Sequence, residues 1–356
     1  MAADTTNLPF VRNAWHIGAW SEELADGMLG RTIMNQPLVF FRDSDGKVGA
    51  LEDRCCHRGA PLTHGTVIET GLQCGYHGLV YDTTGACVTV PGQDRIPPEA
   101  RVVSYPVVER NQIVWIWMGD PARADESQIV DYPYHDQPGK WPHRKAMFQI
   151  KANYMLMIDN LMDLTHLGYV HNRTIGGDPN THVDADMETR PTENGAYFIR
   201  WMPDCQPPPT YQKGGQFEGR IDRWQEFEYV APGIVLQWSG GLEVGRGARE
   251  NRDQKGFHLR LLHGATPETE TTFHYFWSTA NGYRQDEPQA TQEMYDEIYP
   301  TFIEDKTIME AQQERLDLDP DRSLVPIAAD GALALARIAI DRMIDGERAG
   351  IAQAAE

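Results

Sequence analysis

The stretch RCCHRGAPLTHG, Arg54–Gly65, places two adjacent cysteines beside a histidine, and the tetrad CGYH follows at Cys74–His77. Each of these two segments offers one thiol and one imidazole. A structural zinc finger more often takes its cysteines from one arm and its histidines from the other. Mixed pairs favour a two-iron cluster whose inner iron takes two cysteines and whose outer iron takes two histidines. A zinc site built from the same four residues is the alternative.

Alternation along an extended chain distinguishes the two adjacent cysteines. Residues i and i+2 point to the same side, so Cys55 and His57 can face one cluster while Cys56 points away. We therefore predict that Cys56 is a small buried residue without a ligand role. The predicted cluster ligands are Cys55, His57, Cys74 and His77.

Composition narrows the class of protein. The chain has 356 residues, enough for two domains, and its net charge of −20 argues against nucleic acid or an anionic membrane as the main partner. The first residues lack the basic-then-apolar order of a signal peptide, and we find no apolar run long enough to span a bilayer. We expect a cytoplasmic protein, in which thiols stay reduced. The five cysteines cannot all pair, which favours metal binding over a disulfide framework.

The hydrophobic pattern divides the chain into two predicted domains, 1–120 and 121–356. The first is rich in strands and hairpins, as in PLVFFRDSDGKVGALED and QIVWIWMGDP. The second combines a helical segment, ANYMLMIDNLMDLTHLGYVH, with alternating runs such as GFHLRLLHGAT and TTFHYFWSTA. The predicted fold class is α+β: an all-β domain followed by an antiparallel sheet with surrounding helices. Residues 174–191 and 203–219 contain Gly and Pro and are predicted to be loops.

A second group of potential metal ligands lies in DLTHLGYVH. Asp163 and His166 are three residues apart, which places them on one helical face, and His171 follows five residues later. Gly168 lets the helix loosen or end between the two histidines, so that both rings can converge. Together with a further carboxylate, two such histidines could form a metal site. Hydrogen-bonded core histidines are the alternative.

A carboxylate that could complete this group lies in TFIEDKTIM. On a helical wheel the large apolar residues define one side, with Asp305 near that side and Glu304 on the opposite one. A carboxylate that points inward is costly unless it is paired or bound to metal. We predict Asp305 as the ligand; an aspartate in a core salt bridge is the alternative. The apolar residues are Phe302, Ile303, Ile308 and Met309.

The two motifs together resemble the Rieske non-heme iron oxygenase family. The likeness extends through NAWHIGAWSEEL, DRCCHRGAPL, DNLMDLTHLGYVH and FIEDKTIMEAQQ, and is greatest for oxygenase subunits of the vanillate and dicamba O-demethylase type. It implies an N-terminal Rieske [2Fe-2S] domain and a C-terminal catalytic domain of the helix-grip type. The implied cofactors are the cluster and a mononuclear Fe(II), with O2 as co-substrate.

The resemblance also implies roles for individual residues and an assembly. Asp163 would link His166 to His77 of a neighbouring subunit, and Asn160 would lie near the iron. A head-to-tail homotrimer would bring the cluster of one subunit to the iron of the next. Electrons would come from NAD(P)H through a flavin and ferredoxin-type reductase.

The implied activity is monooxygenation of a methyl or methoxy group of an aromatic acid, most simply O-demethylation with release of formaldehyde. Ring hydroxylation and N-dealkylation are alternatives within the family. Outside it, the alternative is a Rieske electron-transfer protein with an inert second domain. Asn160, His258 and Trp277 are the predicted substrate-contacting residues, since amide, imidazole and indole groups can anchor a carboxylate or stack on a ring.

Overall fold

The computed structural model describes residues 10–25 and 27–354. The chain forms two units. One extends to Asp131 and includes Thr266–Thr269, and the other comprises Tyr132–Ala265 and the chain from Glu270 onward. The limits predicted from the sequence, 1–120 and 121–356, place the break earlier and remain a prediction of the domain organisation.

The N-terminal unit is built from short antiparallel strands in three small sheets, with strand orders β1-β11-β10, β2-β3-β4-β9 and β5-β6-β7-β8. The strands are β1 Trp15–Trp20, β2 Met28–Ile33, β3 Gln36–Arg42, β4 Val48–Glu52, β5 Thr66–Ile68, β6 Gly71–Gln73, β7 Val80–Tyr81, β8 Cys87–Thr89, β9 Ser104–Tyr105, β10 Val107–Arg110 and β11 Ile113–Trp117.

The hairpin predicted from PLVFFRDSDGKVGALED is confirmed. β3 pairs with β4 antiparallel, with Leu38 opposite Glu52 and Arg42 opposite Val48. The Asp-Gly turn between them is closed by the Gly46 amide, which donates to the Asp43 carbonyl at 3.0 Å. The sheet β5-β6-β7-β8 contributes strands on both sides of the Cys74–His77 loop, so this sheet positions the second cluster loop.

The second unit contains a seven-stranded sheet of order β12-β18-β17-β16-β15-β14-β13, in which the pairings described are antiparallel. Its strands are β12 His143–Ile150, β13 Asp186–Thr192, β14 Gly195–Cys205, β15 Ile221–Val230, β16 Ile234–Glu243, β17 Phe257–Thr269 and β18 Thr272–Asn281. The helices are α1 Met155–Met162, α2 Leu167–Val170, α3 Pro179–Val183, α4 Pro209–Gly215, α5 Pro288–Leu318 and α6 Gly331–Ala354.

One face of this sheet packs against α5. His263 of β17 and Trp277 of β18 both contact the ring of Phe302 on α5, with centroids 5.6 and 4.9 Å apart. Because side chains alternate along a strand, the odd-numbered residues of β17 and β18 form this helix-facing side and the even-numbered ones form the outer side. The predicted α+β fold class, an all-β part followed by an antiparallel sheet with helices, is confirmed.

Two segments predicted as loops have regular structure. Residues 174–191 contain α3 and most of β13, and residues 203–219 contain the end of β14 and α4. Pro179 and Pro209 each occupy the first turn of their helix, where the missing amide hydrogen would have had no partner. The prolines that suggested loops therefore begin short helices. Among the described residues, we find no helix long and apolar enough to cross a membrane.

Candidate metal centres

Two tight turns carry the predicted cluster ligands in the N-terminal unit. The Gly59 amide donates to the Cys55 carbonyl at 2.9 Å, and the Gly78 amide donates to the Cys74 carbonyl at 3.0 Å. Both glycines have positive φ, +69° and +75°, a conformation that glycine adopts without strain. The two loops therefore share the same turn after the cysteine, although the histidine follows two residues after Cys55 and three residues after Cys74.

The structure brings the four predicted ligands together. The thiols of Cys55 and Cys74 are buried and lie within hydrogen-bonding reach of each other. The imidazoles of His57 and His77 are exposed, with ring centroids 4.6 Å apart. A pair of sulfurs inside and a pair of imidazoles outside fits the donor set of a cluster with one cysteine-bound and one histidine-bound iron.

The prediction that Cys56 is buried is wrong. Residues 56–58 form a turn, so the alternation expected for an extended chain does not apply, and Cys56 is exposed. The buried hydroxyl of Tyr81 lies 3.1 Å from Cys55 Sγ and 3.2 Å from Cys56 Sγ. Burial raises the pKa of Tyr81, so the hydroxyl keeps its proton and can donate to sulfur.

The second group of potential ligands lies on a broken helix. α1 ends at Met162, a short 3-10 turn covers Leu164–His166, and α2 follows. Asp163 is the N-cap of this turn, and its Oδ1 accepts a hydrogen bond from the Thr165 amide at 2.9 Å. The single helical face predicted for Asp163 and His166 is therefore replaced by a capped turn. Gly168 is required here, since a Cβ would lie 2.4 Å from the Cα of Pro179.

His166, His171 and Asp305 converge. Each offers one ligand atom, and these atoms lie within 4.8 Å of one another. His171 Nε2 lies 3.0 Å and His166 Nε2 lies 3.7 Å from Asp305 Oδ1. Asp305 comes from the middle of α5 and is only 4% exposed. Two imidazole nitrogens facing one buried carboxylate oxygen fit the donor set that Fe(II) takes in a facial triad.

Hydrogen bonds at the far side of each ring fix its protonation. His166 Nδ1 lies 2.7 Å from the Asp163 carbonyl oxygen, which can only accept, so Nδ1 carries the proton. His171 Nδ1 lies 2.7 Å from Glu304 Oε2 and donates to it in the same way. The Nε2 atoms of both rings then face Asp305, the orientation that ligands of a shared metal ion need.

The electrostatics of the triad favour a cation. Burial lowers the pKa of His166, which keeps that ring neutral. Burial also acts to lower the pKa of His171, but the hydrogen bonds to Asp305 and Glu304 outweigh it, and the pKa is raised. Positive charge is therefore stabilised beside Asp305. Asn160 Nδ2 donates to Asp305 Oδ1 at 3.0 Å and holds the carboxylate in place.

Comparison with known proteins places the chain in a family. The model of the Rieske [2Fe-2S] domain matches residues 14–106, and that of the vanillate O-demethylase oxygenase C-terminal domain matches residues 150–346. The chain belongs to the Rieske non-heme iron oxygenase family. The iron-sulfur subunit of the toluene-4-sulfonate monooxygenase system of Comamonas testosteroni is 42% identical over 346 residues, 96% of this chain and 99% of that protein.

Other relatives of this Rieske oxygenase support the same family assignment. The vanillate O-demethylase oxygenase subunit of a Pseudomonas species is 34% identical over 345 residues, 95% of this chain and 96% of that protein. A crystal structure of dicamba monooxygenase bound to 3,6-dichlorosalicylic acid superposes with a TM-score of 0.88 at 32% identity, covering 95% of this chain and 98% of that one. The predicted family is confirmed, and the chain is the oxygenase component of a Rieske monooxygenase.

The predicted substrate-contacting residues of the oxygenase lie in different places. Asn160 is at the triad, and Trp277 is buried on the helix-facing side of the sheet. His258 lies on the outer face, beside the Trp224 ring at 5.7 Å, where a cavity of about 400 Å³ opens away from the triad. The structure therefore brings Asn160, but not His258, to the triad, and the substrate roles stay predictions.

The sequence pattern predicts that Glu304 faces solvent, but it does not predict the contact of its carboxylate with His171. Its side chain is 46% exposed, as predicted, yet its carboxylate reaches His171. The position of Glu304 directly before the predicted ligand Asp305 on the same helix is the sequence feature that could have indicated this contact. Tyr81 was missed as well, because only the fold brings β7 under the first cluster loop.

Proposed function

We propose that this oxygenase component hydroxylates a methyl or methoxy carbon of an aromatic acid, and that with methoxy substrates the product loses formaldehyde. The convergence of His166, His171 and Asp305 in a chain that carries a Rieske domain is the observation that supports the proposal most. The names of the relatives, which act on toluene-4-sulfonate and vanillate, support the substrate class.

Two sets of residues would hold the cofactors. Cys55, His57, Cys74 and His77 would bind the [2Fe-2S] cluster, and His166, His171 and Asp305 would bind Fe(II). When bound, the cluster passes single electrons and the iron activates O2 with electrons that come from NAD(P)H through a separate reductase. Fit rests on the donor atoms: two thiols with two imidazoles in one group, and two imidazoles with a carboxylate in the other.

The surrounding residues position these ligands. The Asp163 carbonyl and the Glu304 carboxylate hold the Nδ1 protons of the two triad histidines. The Asn160 amide donates to Asp305 Oδ1 and fixes the carboxylate that faces both imidazoles. Because the Asp163 side chain caps its own turn, the backbone that carries His166 stays in one conformation. The chain thus supplies a fixed arrangement of two imidazoles and one carboxylate that would hold Fe(II).

We also propose a head-to-tail homotrimer in the cytoplasm. His77 is exposed on the N-terminal unit, and Asp163 is half-buried beside the triad, so each is accessible to another subunit. A contact between Asp163 and His77 of the neighbouring subunit would join the two centres. Free cysteines and a nicotinamide reductant both suit the cytoplasm.

Turnover with a substrate panel tests the proposal. Protein loaded with Fe(II) is given a plant-type ferredoxin reductase, NADH, and either methoxybenzoates or 4-toluenesulfonate, and formaldehyde or the benzylic alcohol is measured. We expect one of the two products, three irons per chain, and no product from His171→Ala with two irons retained. Product formation by His171→Ala, or two irons in the active wild type, would contradict the assignment of the triad.

A further inference from the structure

Buried polar atoms without a hydrogen-bond partner cluster beside the triad. Arg200 of β14 and Gln225 of β15 lie directly opposite each other in the sheet and are 3% and 2% exposed. Arg200 Nη2 donates to the His182 carbonyl. Its Nε and Nη1, and Gln225 Oε1, have no partner among residues 10–25 and 27–354. Such groups are rare in native interiors unless water or a ligand satisfies them.

Arg200 and Gln225 lie on the side of the sheet that faces the triad. Phe227, two residues after Gln225, points the same way and stacks with His263, whose ring contacts Phe302 on α5. Electrostatic coupling agrees: Asp163 influences the pKa of Arg200, and His166 influences that of His182. Asp163 and His166 belong to the segment that carries the triad histidines. The unsatisfied groups and the proposed iron ligands therefore line the same interior.

Two arginines of this interior have no direct ion-pair partner among the described residues. Arg223, two residues before Gln225, is 1% exposed and donates to the carbonyls of Ile175 and Gly176. In the part of the chain that the structure describes, neither Arg200 nor Arg223 forms an ion pair with a carboxylate. A buried guanidinium is costly unless an anion pairs with it. Burial and the neighbouring Arg223 lower the pKa of Arg200 to about 10, which shows how unfavourable its charge is there.

The two arginines differ in what remains available. Both terminal nitrogens of Arg223 donate to the loop that follows His171, and its guanidinium packs over the Tyr211 ring. Arg223 therefore stabilises the position of that loop. Arg200 keeps Nε and Nη1 without a partner and Arg223 only Nε, and the Gln225 side chain directly opposite Arg200 carries N–H donors as well as the unpartnered Oε1. Arg200 thus has more unused donors than Arg223, including one of its terminal nitrogens.

We propose that Arg200, assisted by the Gln225 amide, binds the anionic group of the substrate, a sulfonate or carboxylate, and so orients the opposite end of the aromatic acid toward the iron ligands. The inference rests on the proposed function and names the residues that select acids. Guanidinium groups form strong, directional hydrogen bonds with such oxyanions. Binding would also supply the counter-charge that the chain itself lacks.

Equilibrium binding separates this role from a structural one. Isothermal titration calorimetry compares 4-toluenesulfonate and 4-methoxybenzoate with their neutral amides, 4-toluenesulfonamide and 4-methoxybenzamide. We expect the wild type to prefer the acids, and Arg200→Gln to weaken acid binding about 10- to 100-fold while the amides change less than about 2-fold. Arg249→Gln is the control: it removes an exposed arginine of the same unit and should leave both ligand classes unchanged.

Gln225→Glu gives an independent test that does not depend on the folding of Arg200→Gln. The new carboxylate would pair with Arg200, so the variant should melt at a higher temperature and bind the acids at least about 10-fold more weakly. Equal losses for acids and amides, or unchanged acid binding in both variants, would overturn the inference alone. A wild type that binds none of the acids would overturn the proposed substrate class, and this inference with it.

Discussion

Replacement of Glu304 tests whether this carboxylate orients the His171 ring at the triad. Its carboxylate accepts from His171 Nδ1 at 2.7 Å, and Nε2 on the other side of the ring faces Asp305. Loss of such a partner typically lowers metal affinity about 10- to 100-fold. Because the Glu304 side chain is 46% exposed, water can take over part of its role. We therefore expect Glu304→Ala to fall near the lower end, about 10-fold or ~1.4 kcal/mol.

The assay is competition for Fe(II) between the protein and a coloured chelator, followed as the chelate forms. Glu304→Gln keeps an acceptor oxygen and loses the charge, so its affinity should lie between those of the wild type and Glu304→Ala. Glu314→Gln removes an exposed carboxylate from the same helix and should match the wild type. If Glu304→Ala retained iron as tightly as the wild type, or if Glu314→Gln lost as much, orientation of His171 by Glu304 would be refuted.

Three further outcomes follow from particular contacts. Tyr81→Phe removes a hydroxyl that donates to the Cys55 sulfur and should lower the cluster potential by roughly 40 mV, about 1 kcal/mol, in a redox titration; an unchanged potential would contradict this. Gly176→Ala places a Cβ 1.9 Å from the Leu167 carbonyl oxygen and should lower thermal stability by about 1–3 kcal/mol and weaken iron retention together. Burial lowers the pKa of His16 to about 4 while the unfolded chain keeps 6.5, so stability is complete above pH 6.5 and is lost as the pH falls toward 4. Between pH 7 and 5 the loss is about 2 kcal/mol in urea unfolding, and His16→Gln should lack it.

The parts of the fold that local chemistry decides were predictable. The Asp-Gly turn and alternating residues around Asp43–Gly46 specify a hairpin whatever surrounds it. The spacing of Cys55, His57, Cys74 and His77 points to two loops that share one cluster, and the structure places these residues together. The prediction for Cys56 failed because residues 56–58 form a turn, whereas the prediction assumed an extended chain.

The orientation of α5 shows a correct result reached from a partly wrong premise. Asp305 is buried and Glu304 is half-exposed, as the helical wheel predicts. However, Ile303 and Ile308 are 36% and 46% exposed, so they do not mark the buried side. The true buried stripe includes Thr301 and Gln313, polar residues that a hydrophobic wheel ignores. Only the tertiary contacts of α5 with β12, β18 and α1 determine which side faces inward.

The contacts across the sheet could not be predicted, because they join residues far apart in sequence. No residue near Arg200 in the sequence indicates that its guanidinium forms no ion pair among the described residues. In the same way, no residue near Asp305 in the sequence indicates that the chain gives it imidazoles and an amide but, in that part of the chain, no lysine or arginine. These two buried charges have opposite sign and lie in the same unit, yet among the described residues Asp305 has no Lys or Arg partner and Arg200 has no carboxylate partner. Burial of such charges is costly unless a bound ion or ligand compensates them. Asp305 is then compensated by a metal ion and Arg200 by an acid, and these are the two species that the proposed reaction brings together.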